Sequence, residues 1–257
     1  MLGVVLLAGA CSSPSPSDAE VGLGTGPTEE SGDLPADGER LVDLGNGRSI
    51  LMDCRGSGGP TVVLVAGMGE RAGTWMATSA DPSSTQGSVF PAVAGSTRVC
   101  AYDRPGTAVA TEAGYEITPS TPVKNPATVG DSAADLDRLL TASGEPGPYV
   151  LVGHSLGGPI VRLYAAAHPE QVAGLVFVDA LSEDLGDGLT PAQLSKFEQL
   201  NDPTSQGRPP GSEQDMYLAS VVPLLREAAD VTGVPTVILT ADPHAALGGD
   251  FYDVIDV

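Results

Sequence analysis

Positive charge is scarce in this chain. Its 257 residues carry 12 Lys and Arg against 33 Asp and Glu, a net charge of −21. That balance argues against nucleic acid as a partner, because phosphate binding needs clustered cations. Ten of the bases are Arg and two are Lys, as in a GC-rich bacterial gene. Histidine is scarcer still. Chemistry that needs an imidazole has only His154, His168 and His244 to draw on. No internal repeat is visible, which excludes solenoid architectures. No apolar run reaches the roughly 20 residues of a membrane-spanning helix. What remains is ordinary: 41% hydrophobic residues, enough for one domain with a large core.

The N-terminus reads as a targeting segment. Residues 1–11, MLGVVLLAGAC, are apolar, end in small residues and meet Cys11. LAGAC resembles a bacterial lipobox, in which a signal peptidase cuts before a cysteine that is then lipidated. The segment has no Lys or Arg before the apolar run, so the true signal is read as starting further upstream. Residues 12–38 hold Ser, Pro, Gly and six acids but no base. Such a stretch buries too little apolar surface to offset its ordering entropy. It is expected to be a disordered tether between an anchored Cys11 and a folded domain at 39–257. An exported, cell-envelope lipoprotein is the implied location. With Cys11 lipidated, Cys54 and Cys100 remain as an even pair in an oxidising compartment.

From residue 40 the pattern becomes strand-like. RLVDL and SILMDCRG flank Asn46–Gly47, a strong hairpin signal. TVVLVAG (61–67) and TRVCAYD (97–103) read as strands buried on both faces. Residues 104–128 are rich in Pro, Thr and Gly and read as loop. DSAADLDRLLTASG (131–144) predicts an amphipathic helix with Leu136, Leu139 and Leu140 on one face and Gly144 as its C-cap. PYVLVGHS, GGPIVRLYAAAHPE and VAGLVFVDA then give strand, helix, strand. A polar stretch at 182–214 contains the helix candidate TPAQLSKFEQL and is where a lid would sit. DMYLASVVPLLREAAD is predicted helical despite Pro223, and VPTVILTAD is the last clear strand. The alternation predicts an α/β fold, a mostly parallel central sheet with helices on both faces.

Gly153–His154–Ser155–Leu156–Gly157 fits G-x-S-x-G directly after a strand and before a helix. A serine on so sharp a turn needs small residues two positions away on either side. The helix that follows points its N–H groups and dipole at developing negative charge. With this motif, PYVLVGHSLGG through VFVDA resembles the serine esterase and lipase branch of the α/β-hydrolase superfamily. PTVVLVAGMG and TRVCAYDRPG match the same family in the right order, so the similarity spans residues 40–242.

The resemblance implies a sheet of order 1-2-4-3-5-6-7-8 and a nucleophile at Ser155. It implies an oxyanion hole from the backbone N–H groups of Met68 and Leu156, with Gly67 standing where the family usually has His-Gly. Donors of this kind contribute roughly 3–4 kcal/mol to the transition state. It also places Cys54 beside Cys100 on adjoining strands. A disulfide between them is one expectation and two buried thiols the other. A small-molecule ester is the implied substrate, with no metal and no cofactor. Asp103 and Arg104 are read as structural, fixing a loop near the pocket.

The remaining triad members stay open. The acid is read as Asp242, with Asp179 the alternative; both can equally be turn residues. His154 neighbours the nucleophile and so points away from it. His168 lies at the far end of a helix. His244, two residues after Asp242, is the candidate base. The family's own histidine arrives later, after an eighth strand. The chain is therefore expected to be a shortened hydrolase lacking that last strand and base. The rival expectation is a catalytically impaired surface lipoprotein or binding module.

Overall fold

Asn46 and Gly47 both take positive φ (54° and 73°), and the chain folds back on itself there. A two-residue turn of that handedness matches the twist of paired strands. It joins β1 (Gly38–Gly45) to β2 (Arg48–Arg55), paired antiparallel with Val42 opposite Ile50. The coordinates are a computed structural model that describes residues 34–77, 87–124, 127–184, 187, 189–200, 213 and 218–240. Cys11, Asp242, His244 and the terminal FYDVIDV lie outside the described residues.

The apolar runs form the middle of the sheet. β3 (Thr61–Val65) and β4 (Val99–Tyr102) follow the hairpin, and the four residues of β4 are all buried. Helix α1 (Val89–Ala94) lies between them in the chain. Further on come β7 (Tyr149–His154), β8 (Val172–Val178) and β9 (Thr236–Leu239). These seven strands form one sheet of order β1-β2-β4-β3-β7-β8-β9. Counted along the chain, that is the first seven places of the expected order. From β4 through β9 neighbouring strands run parallel.

Side-chain alternation explains why both faces are covered. Val63, Val65 and Leu151 enter one core with residues of α2 (Val129–Ser143), α3 (Gly157–Ala167) and α5 (Leu218–Glu227). Leu64, Val152 and Ala101 enter a second core with Trp75 and Phe90 on the opposite face. Helix α2 is capped by Thr128, whose hydroxyl accepts the Asp131 N–H while the Asp131 carboxylate accepts the Thr128 N–H. Such a box satisfies two amides that the helix itself cannot. Leu136, Leu139 and Leu140 are fully or almost fully buried on one face of α2. Each contributes roughly 1.5–3 kcal/mol of transfer free energy. Helix α4 (Pro191–Leu200) coincides with the helix expected in the lid-like stretch.

Residues 104–128 are not all loop: β5 (Ala108–Thr111) and β6 (Gly114–Ile117) form a separate antiparallel ribbon. Its side chains are exposed apart from Ala108. No alternation between apolar and polar residues therefore marks it as strand. Two further features bear on the sequence expectations. Cys54 and Cys100, directly opposite each other on β2 and β4, are joined by a disulfide. Residues just before β1 pack on the domain: Arg98, buried among Glu145, Asp37 and the Pro35 carbonyl, holds them. Among the described residues, no helix is long and apolar enough to cross a membrane.

Candidate active site

The chain leaves β3 toward β4 on one side and later leaves β7 toward β8 on the other. The order therefore reverses between β3 and β7. In open parallel sheets the crevice at the carboxyl ends of such strands is where ligands bind. Ser155 lies at the carboxyl end of β7, and the segment Ala66–Glu70 leaves the carboxyl end of β3.

Ser155 has φ = +49°, one of three described non-glycine residues with positive φ. A side chain there costs on the order of 1–3 kcal/mol and persists only where the surroundings hold it. Here they do. The Ser155 N–H donates to the Val178 carbonyl at 3.1 Å. The Ser155 carbonyl accepts the N–H groups of Gly158 (3.0 Å) and Leu181 (3.1 Å). The flanking glycines are sterically required. A Cβ on Gly153 would lie 2.5 Å from the Gly157 carbonyl oxygen. A Cβ on Gly157 would collide with the Val65 carbonyl of β3. The helix that begins at Gly157 therefore starts hard against the end of β3.

The amides of Met68 and Leu156, expected as oxyanion donors, have no hydrogen-bond partner among the described residues. Leu156 is the N-cap of α3, where amide groups have no partner inside the helix. The neighbours of Met68 are pinned. Glu70 Oε2 accepts the Gly67 N–H at 2.8 Å and lies 3.1 Å from His154 Nδ1. Arg104, buried, donates to the carbonyls of Ala66 (2.7 Å) and Gly67 (2.5 Å). Asp103 accepts the Ala72 N–H and pairs with Arg71. Both residues of the Asp103–Arg104 pair thus fix loops at the site, as their structural reading requires.

His154 packs as its position beside Ser155 implies. Its ring meets Glu70 and stands edge-on to Trp75, with centroids 6.3 Å apart. Burial pushes the Glu70 carboxyl up, but the His154 hydrogen bond and charge and the Gly67 amide outweigh it. The carboxyl is held below its ordinary value. His168 caps the opposite end of α3, beside Asp137 and Tyr164. Eleven helical residues, roughly 16 Å, separate it from the elbow.

Asp179 does reach the site's rim. It follows β8 directly, and Val178 is in register with His154, so Asp179 and Ser155 occupy adjoining strand tips. Asp179 also has positive φ (41°), and its N–H donates to the Leu239 carbonyl. Asp242 and His244 follow the end of β9 outside the described residues.

The strand order, the elbow and its glycines are those of a known family, and the chain matches the alpha/beta hydrolase fold over residues 60–226, more than half its length. The protein belongs to that family. This α/β-hydrolase is 46% identical over 54 residues to the lipase LipV of Mycobacterium tuberculosis, covering 21% of the chain and 20% of LipV. It spans less than half the length of each curated relative it matches. The crystal structure of a bacterial membrane phospholipase A covers 85% of the chain and is itself covered over 74%, with 22% identity and a TM-score of 0.52. The haloalkane dehalogenase DatA of Agrobacterium tumefaciens C58 matches at TM-score 0.56 with 15% identity, over 79% of each chain. At those identities the two structures show the fold alone.

No local sequence pattern marks Glu70 or Glu213, whose carboxylate meets Arg104 and the Gly69 amide. The one available signal was indirect: a buried arginine beside a glycine loop needs acceptors.

Proposed function

We propose that this α/β-hydrolase is a carboxylic ester hydrolase that acts through an acyl-enzyme on Ser155. The observation that carries the reading is the left-handed backbone of Ser155 between β7 and α3, held by its bonds to Val178, Gly158 and Leu181 and permitted by Gly153 and Gly157. Strain at a polar residue, held at the carboxyl edge of a parallel sheet, is the mark of a functional position. Ser155 Oγ attacks the ester carbonyl carbon, and its proton passes to an imidazole. The tetrahedral oxyanion is held by the Met68 and Leu156 amides. The imidazolium returns that proton to the leaving alcohol as its bond breaks, and water, deprotonated by the same imidazole, then releases the acid and restores the serine. His244 is the proposed base and Asp242 the proposed acid, with Asp179 as the alternative acid. The LipV similarity and the serine at the elbow favour ester chemistry over reactions that use an aspartate nucleophile. The chain is further proposed to be exported and held at the membrane by lipid on Cys11, supported by the LAGAC motif and the acidic tether.

A second reading rests on the described histidines. Neither His154 nor His168 is placed as a base, so a binding module with an idle elbow competes with the enzyme. The test uses a fluorophosphonate probe and p-nitrophenyl esters on the full chain, with Ser155→Ala as control. Labelling and turnover that disappear in the variant are expected. A folded protein that takes up no probe refutes the enzyme and favours the binding module.

A further inference from the structure

Four amides line the turn after β3, those of Gly67, Met68, Gly69 and Glu70. Three are committed. The Gly67 N–H goes to Glu70 Oε2 at 2.8 Å, the Gly69 N–H to Glu213 Oε2 at 2.8 Å, and the Glu70 N–H to the Gly67 carbonyl at 3.2 Å. Only the Met68 N–H has no partner among the described residues. Glu213 is the distant contributor, 144 residues from Gly69. It is 5% exposed, and its backbone N–H donates to the Gly106 carbonyl at 2.7 Å. Its other oxygen accepts Arg104 Nε at 2.6 Å, and Arg104 in turn holds the Ala66 and Gly67 carbonyls.

A buried ion pair is a poor source of stability, because desolvating both charges cancels most of the attraction. This one is better explained by its geometry. One carboxylate and one guanidinium fix three successive peptide groups around Met68. We propose that Glu213 is a positioning residue: by tying down the Gly69 amide and orienting Arg104, it leaves the Met68 N–H as that turn's one uncommitted donor and holds it still for the oxyanion. This role rests on the Ser155 reading above. Glu213 touches neither substrate nor nucleophile; it acts through the loop. A preorganised donor is effective because it needs no reorganisation at the moment of reaction.

The test compares the full chain with Glu213→Gln, which keeps the shape but loses the charge. Two readouts are taken. The first is amide hydrogen exchange at Met68 and Gly69. The second is the saturation kinetics of fluorophosphonate labelling, separating probe affinity from the maximal labelling rate. In the wild type the Gly69 amide is expected to exchange far more slowly than that of Met68. In Glu213→Gln, Gly69 exchange is expected to rise at least about tenfold and the maximal rate to fall about tenfold or more, within the range for a lost oxyanion donor. Probe affinity is expected to change less than about twofold. A merely structural residue would move exchange without moving the rate, and that result overturns the proposal. So does a folded Glu213→Gln with wild-type exchange. If the variant does not fold, wild-type exchange decides: Gly69 exchanging as fast as Met68 overturns the proposal, and a protected Gly69 supports it. Wild-type protein that is never labelled removes the Ser155 reading and this role with it. A labelled wild type beside an equally labelled variant removes this role alone.

Discussion

The strain at Ser155 predicts that this residue is held at a cost in stability. Replacing it with glycine relieves a left-handed residue, a gain of about 1–2 kcal/mol. The same change frees the unfolded chain, which offsets about 0.5–1 kcal/mol of that gain. The backbone bonds to Val178, Gly158 and Leu181 need no side chain and survive. Ser155→Gly is therefore expected to be more stable than wild type by about 0.5–1 kcal/mol. For a domain of this size that is roughly a 1–4 °C rise in Tm. Ser155→Ala keeps a Cβ at φ = +49° and is expected to match wild type within about 0.5 kcal/mol. Both variants are expected to lose labelling. Urea unfolding of the three proteins, with equal slopes to establish a common unfolded state, measures the difference. A Ser155→Gly protein no more stable than Ser155→Ala would falsify the strained elbow.

Other expectations follow from the same geometry. Gly157→Ala pushes a Cβ into the Val65 carbonyl, so it is expected to cost about 1–3 kcal/mol and to slow Ser155 labelling; unchanged unfolding and labelling reject the close contact. The Cys54–Cys100 bond closes a 46-residue separation, which corresponds to about 4 kcal/mol of loop entropy. Denaturation with and without reductant is expected to differ by up to that amount, and two thiols titrating after unfolding without reductant would show there is no bond. The Glu70 carboxyl is held below its ordinary 4.5, so the stability it supplies is full above pH 4.5 and is lost as pH falls through the lower folded value. The stability gap between wild type and Glu70→Gln is expected to narrow below pH 4.5, and a gap constant down to pH 3 contradicts this. Ester turnover by Asp179→Asn and Asp242→Asn separates the two candidate acids, since the true one is expected to lose orders of magnitude and the other little.

Much of the site could be read locally. The elbow needs a strand, a serine between glycines and a helix start within about ten residues, and all of that is contiguous in Tyr149–Gly158. The hairpin at Asn46–Gly47 and the capping of α2 are equally local. The β5–β6 ribbon escaped because exposed strands carry no hydrophobic period, and because its turn, Glu112–Ala113, lacks an Asn–Gly signature. The ribbon is fixed from outside by tertiary contacts such as Arg71 with Glu116.

Backbone torsion and side-chain period act over a few residues, so the amino-acid order alone set where strands, helices and the sharp turn occur. It also narrowed the candidate nucleophile to Ser155. The surroundings of that turn were decided only when the sheet was assembled. Glu70 meets His154 across 84 residues, and Glu213 meets Gly69 across 144. No local propensity encodes such pairs. The second arises because a buried Arg104 beside the turn after β3 requires acceptors, and only the folded sheet brings Glu213 there.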